Sequence, residues 1–257
     1  MDQVNITVLT LNIETPDGRL PQAKVRIPDL PLRMADLVPP MQRLCDGIVE
    51  LAIQREKEKG ESISCHKGCE NGVCCSQLVP LSPPEAFFLR DFIQTLPPER
   101  KTQIESHFNL VKEAMDQRGL TEKIRGIEHT HEHQLLAYEY FRMGMPCPFL
   151  EGGSCSIYSI RPFACREYNI VSPSKLCNDP FKKGIRKIKI PRSMTTAMAR
   201  LAAELCEMPP MLVPMALFLN WVKENERIGE KRWPSLWLFE RMMTYASGTE
   251  VEGQRVE

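Results

Sequence analysis

The sequence has no excess of charge of either sign. Its 33 Lys and Arg residues balance 33 Asp and Glu, so no global field draws the chain to nucleic acid or to an anionic membrane. It also has no long apolar run. The most apolar later stretch, Met211 to Leu219, is interrupted by Pro214 and falls short of the roughly 20 residues that span a bilayer as a helix. Residues 1–8 lack the basic and apolar regions of a secretory signal, so a cytoplasmic location is expected. No Gly-x-Gly-x-x-Gly and no Walker-type loop is present, which leaves nucleotide binding by the common routes unsupported. There is no His-Glu-x-x-His, which removes a zinc protease. No internal repeat and no low-complexity tract stands out.

Cysteine is plentiful. Eight of the ten cysteines fall in two stretches, Cys65, Cys69, Cys74 and Cys75, then Cys147, Cys155, Cys165 and Cys177. In a reducing compartment, clustered cysteines bind metal or do redox work more often than they form disulfides. Thiolates are soft, strongly donating ligands, and four at tetrahedral reach hold either zinc or an iron–sulfur cluster. Cys74 and Cys75 are adjacent. In an extended segment their side chains would point to opposite sides, so at most one is expected to join a site with Cys65 and Cys69.

Neither stretch contains the tight Cys-x2-Cys knuckle usual in zinc fingers and ribbons. Around the second, Pro146, Pro148, Phe149, Leu150, Ile157, Tyr158, Pro162 and Phe163 offer a dry apolar shell of the kind that protects an iron–sulfur cluster. Arg161 and Arg166 are placed to bind the cofactor by donating to its sulfurs, or else to pair with a carboxylate such as Glu167. These features favour an iron–sulfur cluster, with zinc as the alternative. The Cys-x3-Cys-x2-Cys spacing of radical S-adenosylmethionine enzymes is broken by the longer gap to Cys74. His129 and His133 stand at i and i+4 on a predicted helix, a chelating spacing also explained by a polar face with Glu128 and Glu132; His131 reads as a core histidine.

Cys65-His-Lys-Gly-Cys69, Cys74-Cys75 and the following Gln-Leu-Val-Pro-Leu-Ser-Pro-Pro-Glu-Ala resemble the opening motif of the YkgJ-type cysteine-cluster family, described as zinc- or iron-chelating. Pro146-Cys-Pro-Phe-Leu, Cys155-Ser-Ile-Tyr, Arg161-Pro-Phe-Ala-Cys-Arg-Glu-Tyr and Ser172-Pro-Ser-Lys-Leu-Cys resemble its second half, in order. The resemblance runs from the N-terminal hairpin to about Pro180. It implies a metal-binding protein whose cluster is structural, redox-active or used in metal handling, with a metal ion or cluster as partner, no membrane, and a protein partner or substrate left unidentified. Glu70-Asn71-Gly72-Val73 departs from the family pattern as a two-residue insertion before the paired cysteines. The motif is also similar to one in flagellin lysine-N-methylases, iron–sulfur proteins that modify lysines, although those are longer and no S-adenosylmethionine pocket signature is found here. A zinc-binding nucleic-acid module would lean on the basic segment Lys182 to Arg192; zero net charge and the lack of interleaved aromatics argue against it.

The expected fold is mainly α with a small N-terminal β-hairpin, its helices packed around cysteine-rich metal-binding loops. Residues 1–35 form a hairpin docked on the body, 36–247 a helical cysteine-cluster domain, and 248–257 a disordered tail. Leu9, Leu11 and Ile13 alternate with polar residues, as do Val25 and Ile27, around the turn residues Pro16-Asp17-Gly18. Helices are predicted over 40–58, with Cys45 a small core hydrophobe on its apolar stripe, and from Ser82, a capping residue followed by Pro83, Pro84 and Glu85. Further helices are predicted over 99–117, 121–142 with Leu135 and Tyr138 inward, 193–207, 214–227 and 235–246. Ile185, Ile188 and Ile190 alternate with basic residues as a strand edge guarded by lysines.

Overall fold

The computed structural model describes residues 5–11, 13–15, 18–65, 72–125, 130–181 and 183–247. At its start β1 (Ile6–Leu11) leads through the two-residue strands β2 (Glu14–Thr15) and β3 (Gly18–Arg19) to β4 (Ala23–Pro28). β1 and β4 pair antiparallel with Leu9 opposite Val25. The alternation of the sequence becomes one buried face, Leu9, Leu11 and Ile27, which joins Ile13 and Leu20 in the main core. Leu20 reaches α1 (Val38–Glu58) at Gly47, where an added Cβ would come within 3.1 Å of its Cδ2. Glycine inside a helix costs about 1 kcal/mol relative to alanine, and here its small size lets the hairpin approach.

The body is helical, as expected. After α1 and β5 (Pro80–Leu81) come α2 (Pro83–Gln94), α3 (Pro98–Gln117), α4 (Leu120–Arg125) and α5 (Thr130–Phe141). The hairpin β6 (Leu150–Glu151) and β7 (Ser154–Cys155) precedes the short α6 (Phe163–Glu167). Then follow α7 (Met194–Cys206), β8 (Val213–Pro214), α8 (Phe218–Glu224), α9 (Glu226–Gly229) and α10 (Ser235–Ser247). α2 lies at the centre, packed against α1, α7 and α8, with Phe87, Leu89 and Ile93 buried. Each such side chain contributes about 1.5–3 kcal/mol by leaving water. Phe108 of α3 meets Phe149 edge-on at 6.1 Å and Phe218 at 5.0 Å. Because Phe149 stands two residues beyond Cys147, this aromatic row ties the second cysteine stretch to the core.

Three expectations are corrected. On α5 it is Leu136 and Tyr140 that are buried, while Leu135 is 53% and Tyr138 39% exposed, so the apolar stripe is rotated. Residues 126–129, inside the helix expected over 121–142, lie outside the described residues. The helix expected over 214–227 is divided: Pro214 pairs with Pro80 across β5 and β8, a 3-10 turn covers Met215–Leu217, and α8 ends at Asn225. Asn225 Nδ2 donates to the Trp221 carbonyl at 2.8 Å, a local bond that competes with helix continuation. The lysine-guarded segment forms a single bridge, Ile170 with Lys187, flanked by Val171 N to Arg186 O and Ile188 N to Asn169 O. The tail 248–257 lies outside the described residues.

Candidate metal centre

Several short segments deliver the thiols to one end of α2. Cys65 follows Ser64, whose N–H donates to the Ile170 carbonyl at 2.9 Å. Cys74 and Cys75 occupy a 3-10 turn, Val73–Ser76, closed by Cys75 N to Gly72 O at 2.8 Å. Gly72 enters this turn at φ +54, and a Cβ there would stand 2.7 Å from Leu150 Cδ1. Only glycine meets both demands without strain. Cys147 N–H donates to the Cys75 carbonyl at 2.7 Å, which joins the two stretches directly. His107 of α3 bonds the Pro146 carbonyl at 2.9 Å, and β6 pairs with β7 so that Leu150 faces Cys155. Cys177 lies buried in the 3-10 turn Ser174–Asn178, which packs on the Val73–Ser76 turn.

Cys165 sits on α6, a five-residue helix too short to hold itself and fixed at three points. Glu85 Oε1 accepts the Phe163 N–H at 2.7 Å, while its Oε2 accepts Ser82 N and Oγ at 2.8 and 2.7 Å. Arg166, 4% exposed, donates from Nη1 to both oxygens of Asp46 at 2.6 Å, from Nε to the Arg161 carbonyl at 2.9 Å, and from Nη2 to the Ser159 carbonyl. Glu167 accepts from Ser193 Oγ at 2.8 Å and from the N–H of Met194, capping α7. Gln42 of α1 adds a bond from Nε2 to the Ile160 carbonyl at 3.0 Å.

The thiols feel one another strongly. Burial pushes Cys165 well above the ordinary thiol range, and the charges of Cys147, Cys74 and Cys155 push it further while Arg161 opposes. Burial likewise raises Cys147 to about 12, helped by Cys155 and Cys74, and raises Cys155, which Arg161 relieves. Within the pair, the neighbouring Cys75 thiol draws Cys74 down to about 7, and Cys75 rises in turn through Cys74 and burial. Half-buried thiols whose charged forms are opposed by burial and by one another suit a cation, whose charge reverses both effects.

Cys74, Cys75, Cys147, Cys155 and Cys165 are thus brought together, with Arg161 among them. The Arg161 guanidinium lies 3.9 Å above the Tyr158 ring, and its buried Nε has no hydrogen-bond partner. This orphaned donor and the all-thiol donor set fit a thiolate-held metal or cluster. Among the described residues, no three His, Cys, Asp or Glu side chains are grouped so as to hold a metal ion as they stand. Cys65 and Cys177 lie to one side, where both act on Tyr168. Cys69 lies outside the described residues. Arg166 pairs with Asp46 and backbone carbonyls, and its carboxylate partner is not Glu167. The shell residues Phe149, Ile157 and Phe163 are buried, but Tyr158 is 42% exposed. His129 and the side chain of His131 lie outside the described residues, and His133 is exposed.

The adjacent cysteines correct a premise: the segment is a 3-10 turn rather than extended, and each of the two thiols shifts the titration of the other. Sequence reasoning also passed over Asp46 and the second role of Glu85. Neither carries a local signal, because each meets a partner far along the chain.

Residues 64–190 match the model of a family described as "CxxCxxCC: Putative zinc- or iron-chelating domain". The match begins at Ser64, so the N-terminal hairpin lies outside it. No curated protein and no solved structure matches the chain. With the paired cysteines on a turn hydrogen-bonded to Cys147, and Cys165 on a clamped short helix, the chain carries over residues 64–190 a domain that matches the CxxCxxCC cysteine-cluster family.

Proposed function

We propose that this chain is a cytoplasmic metal-binding protein that holds an iron–sulfur cluster, with Cys147, Cys155, Cys165 and one of Cys74 and Cys75 as its principal ligands. The observation that carries this reading is the convergence of the two cysteine stretches, with the Cys147 N–H bonded to the Cys75 carbonyl at 2.7 Å and Cys74, Cys147 and Cys155 all acting on half-buried Cys165. The absence of Cys-x2-Cys knuckles and the buried shell of Phe149, Ile157 and Phe163 support a cluster over zinc. A bound cluster would supply electron transfer or a structural cross-link. The chain's own part is to exclude water through that shell, to hold Cys165 rigidly on α6, and to balance thiolate charge with Arg161. Cys65 and Cys177 border the same region and belong to the wider ligand pool.

Anaerobic purification followed by metal analysis and a visible absorption spectrum tests this reading. Stoichiometric iron with acid-labile sulfide and a brown colour is expected. A colourless protein with stoichiometric zinc replaces the cluster with a thiolate zinc site, and a protein that takes up neither metal overturns the reading.

A further inference from the structure

Tyr168 ends α6 three residues beyond Cys165, its N–H donating to the Ala164 carbonyl at 3.1 Å. Two residues later, Ile170 accepts the N–H of Ser64, so Tyr168 lies on the stretch of chain that joins the Cys165 helix to the segment carrying Cys65. The turn bearing Cys177 packs on the turn bearing Cys74 and Cys75 beside it. The Tyr168 hydroxyl is buried and has no hydrogen-bond partner; Gln77 lies beside it without meeting the distance and angle of a bond. A buried hydroxyl left unpaired costs about 1–3 kcal/mol, so an acceptor is wanted here. Cys177, Cys65 and Cys74 act on it. Lys187 places its ammonium 4.6 Å from the ring centroid, and a cation on the ring face makes a phenol a better donor.

We infer that Tyr168 is a positioning residue of the metal centre, its hydroxyl donating a hydrogen bond to a metal-bound cysteine sulfur on the Cys65 and Cys177 side, with Lys187 strengthening that donor. The inference rests on the metal-binding reading. A neutral thiol is a weak acceptor, whereas a thiolate held by a metal carries the charge that completes the hydroxyl. Donation to a ligand sulfur withdraws electron density from it, which orients the ligand and tunes the metal.

Cobalt(II) bound to the metal-free protein reports the sulfurs through thiolate-to-cobalt charge-transfer absorption. Tyr168→Phe keeps the ring and the Lys187 contact and removes only the donor. The expected result is a charge-transfer band moved to longer wavelength and a cobalt affinity about 10-fold to 100-fold lower. Lys187→Met, which keeps the aliphatic stem, should move the band the same way by less, and it serves as the test if Tyr168→Phe does not fold. An unchanged band and affinity overturn the inference. So does a lowered melting temperature with an unchanged band, which would assign the hydroxyl to Gln77 and the fold. A parent protein that takes up no cobalt, iron or zinc overturns the metal reading and this inference with it, an outcome distinct from a parent that binds and a variant that looks the same.

Discussion

Glu85 Oε1 and the backbone N–H of Phe163, 78 positions apart in the chain, meet at 2.7 Å inside the protein. One carboxylate thereby closes the start of α2 and anchors the start of α6, the helix that carries Cys165. Glu85→Ala would leave Ser82 N, Ser82 Oγ and Phe163 N without this acceptor. At about 1–3 kcal/mol for an unsatisfied buried group, a loss of about 2–4 kcal/mol is expected by urea denaturation, with weakened metal retention. An alanine variant as stable as the parent would show that the clamp is incidental.

The same carboxylate makes stability depend on pH. Burial raises Glu85 from 4.5 to about 7, against the hydrogen bonds from Ser82 and Phe163. The folded state keeps a proton that the unfolded chain releases above 4.5, so this group removes stability as pH rises from 4.5 to 7. The full effect is on the order of 3 kcal/mol. Glu85→Gln cannot titrate. Its stability relative to the parent should therefore climb across that window, and a pH-independent difference would refute the assignment.

Cys147→Ala and Cys165→Ala should each strip most of the bound metal, whereas Cys45→Ala and Cys206→Ala should keep it. Cys45 is 2% exposed within the main core, and burial raises its thiol, so it behaves as a small hydrophobe. Its replacement costs on the order of 1 kcal/mol of packing. Metal analysis of the four variants separates the two groups, and equal loss from all of them would contradict the division.

Cys74 is the exposed member of the pair and the one drawn down to about 7 by the Cys75 thiol. The thiolate is the reactive form, so iodoacetamide at neutral pH should label Cys74 before Cys75, Cys147 or Cys165. Bound metal should protect it. Peptide mass spectrometry over a time course gives the order, and first labelling of Cys165 would reverse the electrostatic picture.

Removing the metal should loosen the cysteine segments before the helical core. The loops between α5 and α7 carry little regular structure, while α2, α7 and α10 share the main core, against whose edge Cys147 and Cys155 pack. Limited proteolysis of the chelated protein should cut first within residues 143–190. First cleavage within α2 or α7 would mean that the metal supports the whole fold.

Much of the architecture is written locally in the chain. The alternation of Leu9, Leu11 and Ile27, the Ser82 to Glu85 capping box and the apolar stripes of α2, α3, α7 and α10 depend on neighbours a few residues apart, and they reappear as elements. The clustering and order of the cysteines likewise made the family recognisable. The period of α5 is too weak to fix its buried face, and only packing against Val111, Met115 and Leu217 selects Leu136 and Tyr140.

The sequence by itself determined the helical class, the hairpin and the thiol chemistry, since each rests on residue type and short spacing. Tertiary structure alone decided which thiols meet, that Cys74 and Cys75 share a 3-10 turn, that Arg166 turns to Asp46, and that Glu85 holds Phe163. These contacts join segments separated by as many as 120 positions, as in the Arg166–Asp46 pair. Their partners are chosen by how the core closes around α2, and no pattern within either segment encodes that choice.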